Sequence, residues 1–147
     1  MRHGLAESQF DSDFNRALSQ VGASEATNVA NQILASGLPL PERLLVSPFR
    51  RTQETANYVC QAWGRKADYE TEAMLVHSGD HRILGDYLLS LNTANVMVIS
   101  HMPIVAYLSQ YLADGCNIHG FRTAQTINLQ FDKHGRGAVS EQFLSLQ

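Results

Sequence analysis

Two short apolar runs in this chain end in the same punctuation, and that repetition limits what it can fold into more than any other feature. Leu44-Leu45-Val46 runs into Ser47-Pro48, and Val96-Met97-Val98-Ile99 runs into Ser100-His101-Met102-Pro103. Each run is too short for a helix and apolar throughout, as a strand buried on both faces requires. A proline suits the first turn of a helix, where its missing N–H costs no hydrogen bond, so each Ser-to-Pro step predicts a helix entry. Buried strands that feed helices predict an α/β three-layer sandwich with a mainly parallel central sheet.

The remaining periodicities fit that plan. Ser19 can cap a helix whose apolar positions are Ala26, Val29, Ala30, Ile33 and Leu34, with Gly37 stopping it. After a capping Ser47 and a first-turn Pro48, Ala56, Val59, Cys60 and Trp63 continue one face of a second helix, which Gly64 ends. Ala67 to Ala73 alternates weakly as a third strand would, and Ile83, Leu84, Tyr87, Leu88 and Leu91 mark a third helix. A fourth helix turns Ile104, Val105, Leu108 and Leu112 inward. Finally Thr126–Phe131 and Ala138–Leu144 flank the turn 132–137 as an antiparallel pair. Glu7 to Asn15 is the only loosely polar stretch and reads as a surface loop near a site.

With 147 residues, 44% of them hydrophobic, the chain can build one well-buried core but not two, so residues 1–147 are expected to form a single domain. The formal charge of -3 argues against a nucleic-acid-binding surface. Cys60 and Cys116 have no metal-type spacing and are too few for a disulfide framework, which suggests reduced thiols. No apolar run approaches a membrane span and no signal sequence opens the chain, so a cytoplasmic protein is expected.

In a parallel sheet, ligands bind beyond the carboxyl ends of the strands, where both Ser-to-Pro turns lie. Helix N-termini offer free N–H groups and the positive end of the helix dipole, so both turns suit an anion. Arg51 and His101 would stand at that edge. Arginine grips phosphate oxygens with a planar fork, and a neighbouring histidine can donate a further hydrogen bond. His77 and His81 are four apart like a metal pair, but Gly79 lies between them and no third ligand accompanies them, so no metal site is expected.

Arg2-His3-Gly4, Ser47 to Thr55 (Ser-Pro-Phe-Arg-Arg-Thr-Gln-Glu-Thr) and Val98 to Pro103 (Val-Ile-Ser-His-Met-Pro) together resemble the phosphoglycerate mutase-like histidine phosphatase superfamily. The short length and the Ile-Ser-His-Met-Pro form resemble its SixA-type branch. The likeness extends to Asn15–Ser19 and to Phe121–Ala124. It implies that His3 is a nucleophile that becomes phosphorylated and that Arg2, Arg51 and His101 bind the phosphoryl group. It also implies that Gly4, Arg16 and Ser47 contribute to substrate binding, and that no metal or other cofactor is needed. The substrate implied is a histidine-phosphorylated protein, such as a phosphotransfer domain of a two-component relay, and the enzyme is expected to be a monomer.

Two other readings compete with this one. An alkoxide leaving group needs a proton, whereas imidazole, with a conjugate-acid pKa of about 6.5, leaves readily near neutral pH. A phosphoester phosphatase acting on small molecules would therefore need an acid, and Glu70 or Glu72 could supply it, although neither falls in a motif. A catalytically inactive phosphate-binding module is the third reading. It gains weight because the superfamily has an apolar strand immediately before Arg-His-Gly, whereas Met1 here stands directly on the motif. The first strand is thus expected to be missing or truncated, at a cost in stability and activity.

Overall fold

The computed structural model describes residues 1–8 and 11–145, so the polar stretch from Glu7 to Asn15 lies in part outside the described residues. In chain order the elements are α1 (Gln20–Ser36), β1 (Arg43–Val46), α2 (Arg50–Ala62), β2 (Glu70–Thr71), α3 (His81–Ser90), β3 (Val96–Ile99), α4 (Ile104–Leu112), β4 (Thr126–Phe131) and β5 (Gly137–Phe143). A 3-10 turn covers Ala73–Leu75. β2, β1 and β3 lie side by side in that order, all parallel, with Leu45 opposite Val98 and Val46 opposite Ile99. β4 and β5 pair antiparallel.

Alternation along β1 and β3 divides the core into two layers, because successive side chains of a strand point to opposite faces. Leu44, Val46, Met97 and Ile99 pack against Val29, Ala30 and Ile33 of α1 and Val59 and Cys60 of α2. Leu45 on the other face packs with Leu84 of α3 and with Ile104 and Leu108 of α4. The result is the three-layer sandwich that the repeated Ser-to-Pro punctuation predicts. Trp63 ties the first layer together by donating its indole N–H to the Ala30 carbonyl at 2.9 Å.

The start of the chain enters this sheet beside β3. The Met1 amine donates to the Val98 carbonyl at 2.8 Å, Ser100 N–H donates to the Met1 carbonyl, and His3 N–H donates to the Ser100 carbonyl at 3.0 Å. On its other side Arg2 N–H donates to Gln125 O and Ala124 N–H donates to His3 O. Arg2 forms a parallel bridge with Ser100. Burial holds the Met1 amine mostly neutral, its pKa pushed down to about 5. Residues 1–3 therefore fill the carboxyl end of the lane between β3 and β4. The rest of that lane, between β3 and β4, is an apolar cleft of about 470 Å³ lined by Met1, Val96, Val98, Leu108, Ile127, Leu129 and Phe143 among others.

Several local expectations shift. α1 begins and ends as read, with the Ser19 hydroxyl accepting from Gly22 N–H and Gly37 in the left-handed conformation (φ 78°). α2 starts at Arg50, two residues later than Pro48, with Phe49 as its N-cap and no side-chain cap, while the Ser47 hydroxyl accepts from His101 Nε2–H and from Phe49 N–H. The strand read over 67–73 shrinks to Glu70–Thr71, because Glu72 instead caps the 3-10 turn by accepting from Met74 N–H. Ile83 is 61% exposed and does not join the third helix's buried face, which Leu84 supplies.

Candidate functional site

His3, Arg51 and His101 come from three separate stretches of sequence and converge at the carboxyl edge of the parallel strands. The His3 backbone is held on both sides, by Ser100 and by Ala124. Gly4 follows because nothing larger fits. A Cβ at Gly4 would stand 2.4 Å from the Gly22 carbonyl oxygen, and one at Gly22 would stand 2.1 Å from that of Leu5. The loop after His3 thus rests directly on the first turn of α1. Gly4 N–H also donates to the Thr55 hydroxyl, which donates in turn to the Arg51 carbonyl, linking the first motif to the second.

Donor and acceptor rules fix the tautomers of both histidines. The Gly4 carbonyl, 2.7 Å from His3 Nδ1, can only accept, so Nδ1 carries the proton. Arg51 Nε can only donate, and it lies 3.2 Å from His3 Nε2, so that nitrogen bears a lone pair. His101 is ordered likewise. Its Nδ1 accepts from Arg51 Nη2 at 3.3 Å, and its Nε2–H donates to the Ser47 hydroxyl at 2.7 Å. The His3 and His101 ring centroids are 5.2 Å apart.

All these groups are sheltered: His3 is 7% exposed, Arg51 3% and His101 1%. Burial, followed by the positive charges of Arg51, Arg2 and Arg16, pushes the His3 pKa down to about 4. His101 falls to about 2, again chiefly through burial and then through His3 and Arg51. Both rings are neutral near pH 7 when the site is empty, so the positive charge there belongs to the arginines alone. Burial also lowers the Arg2 and Arg51 pKa values, partly offset by Glu25 for Arg2 and by Asp13 for Arg51. Arg2 donates to the Phe121 carbonyl at 2.6 Å, while its buried Nε–H has no hydrogen-bond partner among the described residues.

This arrangement provides a bare imidazole nitrogen, two guanidinium groups beside it and a second ring able to take up a proton. It is suited to in-line attack on the phosphorus of a dianionic phosphoryl group. Across nearly the whole sequence the chain is similar to the phosphohistidine phosphatase SixA of Escherichia coli, being 33% identical over 145 residues, which covers 97% of this chain and 89% of the relative. The chain belongs to the SixA family. A SixA homolog of Haemophilus influenzae is 31% identical, with 90% of this chain and 86% of the relative covered. A solved structure of the protein histidine phosphatase SixA complexed with tungstate matches with a TM-score of 0.90 at 33% identity, covering 98% of this chain and 94% of that one. No family model matches the chain.

Within this SixA-type frame, Arg2, His3, Gly4, Ser47, Arg51 and His101 form one connected cluster. Arg16 stands further out and reaches it through Asp13, whose carboxylate it meets at 3.1 Å. Glu70 is elsewhere, its carboxylate taken by Arg43 at 2.8 Å, and Glu72 is occupied by its cap. Sequence reasoning missed several residues of this neighbourhood. Asp13 meets Arg51 through its carbonyl at 2.8 Å and its carboxylate at 3.3 Å. Buried Glu25 accepts from Leu5 N–H and from the Thr123 hydroxyl, each at 2.8 Å, and its signal was a lone charge in the apolar stripe of α1. Phe49 packs on His101 with centroids 4.9 Å apart and lies under the Arg51 guanidinium. His77 and His81 diverge: His77 joins Phe49 and His101, while His81 packs on Tyr107 and Tyr111. Among the described residues no group of three His, Cys, Asp or Glu side chains could hold a metal ion.

Proposed function

We propose that this chain is a phosphohistidine phosphatase, which removes phosphate from a histidine-phosphorylated protein through a covalent phosphohistidine on His3. The observation that carries the reading is the His3 tautomer: the ring is pinned through Nδ1 with Nε2 bare and neutral beside Arg51. Nε2 attacks phosphorus, and the bond to the substrate's nitrogen breaks on the opposite side. Arg51 and Arg2 hold the phosphoryl oxygens, and His101 gains a proton as the dianion replaces the repulsion of the empty site. Arg16, Gly4 and Ser47 support binding, Arg16 through the loop that carries Asp13. Water then hydrolyses the phosphoenzyme. The chain acts as a single domain in the cytoplasm, and a phosphotransfer domain of a two-component relay suits it as a partner.

A protein substrate is favoured by Phe14, which is 49% exposed and packs on Phe49 beside Arg51 and His101. A histidine presented on a partner's surface can reach such a site, and the exposed apolar rim has something to pack against. Phosphohistidine rather than a phosphoester is favoured because Glu70 and Glu72 are both engaged away from His3. The test compares kcat/KM for a histidine-phosphorylated phosphotransfer domain with that for sugar phosphates. We expect a preference of about a hundredfold or more, because an alkoxide leaves as a far stronger base than an imidazole. Equal efficiency on sugar phosphates, with a large loss in Glu72→Gln, would overturn the assignment.

A further inference from the structure

We infer that His77 is a catalytic residue of this site, serving first as the acid for the leaving imidazole and then as the base for water; the inference rests on the proposed phosphohistidine phosphatase reading. His3 lies on the buried floor, and in-line displacement puts the leaving nitrogen on the far side of phosphorus, toward solvent. His77, exposed beside His101 and Phe49, is the side chain we place against that nitrogen. Its ring centroid is 6.0 Å from that of His101, edge-on at 84°, and 5.7 Å from that of Phe49 at 89°. His77 is exposed, and it follows the 3-10 turn in a tight bend closed by Gly79 N–H donating to Val76 O. Two aromatic contacts thus aim an otherwise open imidazole at the rim beside a phosphate-binding histidine.

Three carboxylates that could compete for this role are already engaged. Asp13 is held by Arg51 and Arg16, Glu72 caps the turn before His77, and Glu70 is paired with Arg43. The charged or titratable groups around His77 are His101 from the turn after β3, Arg51 behind Phe49 from α2, and Asp80 and His81 where its own segment enters α3.

The proton balance closes over one turnover. In the first half, the electron pair of His3 Nε2 forms the new P–N bond while the P–N bond to the substrate breaks toward the substrate ring. Protonated His77 gives its proton to that ring, which departs as neutral imidazole rather than imidazolate. In the second half, a water oxygen bonds to phosphorus as the bond to His3 Nε2 breaks and returns its electron pair to the ring. Neutral His77 accepts the proton that the water loses, and inorganic phosphate leaves with His77 protonated again.

The experiment measures kcat/KM across pH for the unmodified protein and for His77→Gln. The substrates are a histidine-phosphorylated phosphotransfer domain and p-nitrophenyl phosphate, whose leaving group departs without a donated proton. Because kcat/KM reports only steps through phosphoenzyme formation, it isolates the acid role. The variant is expected to lose about a hundredfold on the phosphohistidine protein together with the alkaline limb of its pH profile. Its loss on p-nitrophenyl phosphate should be at least tenfold smaller, and tungstate affinity, a check on site integrity, should change less than threefold. A normal pH profile with undiminished phosphohistidine turnover in the variant, or equal losses on both substrates, overturns the inference alone. Absence of phosphohistidine turnover by the unmodified protein overturns the functional reading as well.

Discussion

His101 shows how charge is arranged within a single residue's surroundings. Its Nε2–H is spent on Ser47, Arg51 occupies its Nδ1, and burial beside cations drives its pKa to about 2. A bound dianion opposes the repulsion from Arg51 and Arg2, which adds to the larger effect of burial, and provides Nδ1–H with an acceptor, so His101 should become charged when the site is filled. Tungstate is a convenient probe because it remains a dianion between about pH 6 and 8 and binds the SixA relative. Its binding near pH 7 should take up close to one proton, so affinity falls as pH rises, by up to about tenfold per unit. Calorimetry in buffers of differing ionisation enthalpy measures the uptake, and His101→Asn should abolish it. Proton-neutral binding by the unmodified protein would mean that the arginines carry the anion unaided.

At the scale of elements, the lane between β3 and β4 is half occupied. Residues 1–3 complete its catalytic end through hydrogen bonds to Ser100, Ala124 and Gln125, while the apolar cleft behind them leaves Val96 and Val98 only half-buried. A strand of about five residues spans roughly 17 Å, a length that suits such a lane. An engineered extension of five alternating Val and Phe residues before Met1 would turn the buried amine into a peptide N–H and fill the cleft. Burying each such side chain is worth about 1.5–3 kcal/mol before ordering costs, so the melting temperature should rise by about 5 °C or more. A Gly-Ser extension of equal length should give no gain, and equal melting of both would show that the cleft does not accept a strand.

The main elements were legible because two periodicities and two Ser-to-Pro steps state them directly. The details that escaped are tertiary. Ser47 reads locally as a helix cap, yet a histidine 54 residues away takes its hydroxyl, and the helix starts later. Glu72 ends β2 early because its side chain finds Met74 N–H. No local pattern carries such choices.

For the molecule as a whole, the parallel sheet brings Arg2-His3-Gly4, the Ser47–Thr55 segment and His101 to one edge, and the Gly4–Gly22 approach and the Thr55 bridge lock them there. The three clusters were recognisable as motifs in order, which made the central residues readable before any fold was known. Asp13 and Phe49 were not, because their roles are contacts to Arg51 and His101 rather than chemistry of their own. The neutral state of His101 was also hidden, since its burial and its closeness to Arg51 and Arg2 exist only in the folded chain. The central claim is that this site passes phosphate through His3. Rapid-quench mixing of the protein with a radiolabelled histidine-phosphorylated phosphotransfer domain should trap an acid-labile, alkali-stable label on His3 that forms and decays at the rate of turnover and is absent in His3→Gln. Phosphate release at full rate by His3→Gln, or label that never leaves the donor for His3 during turnover, would contradict it.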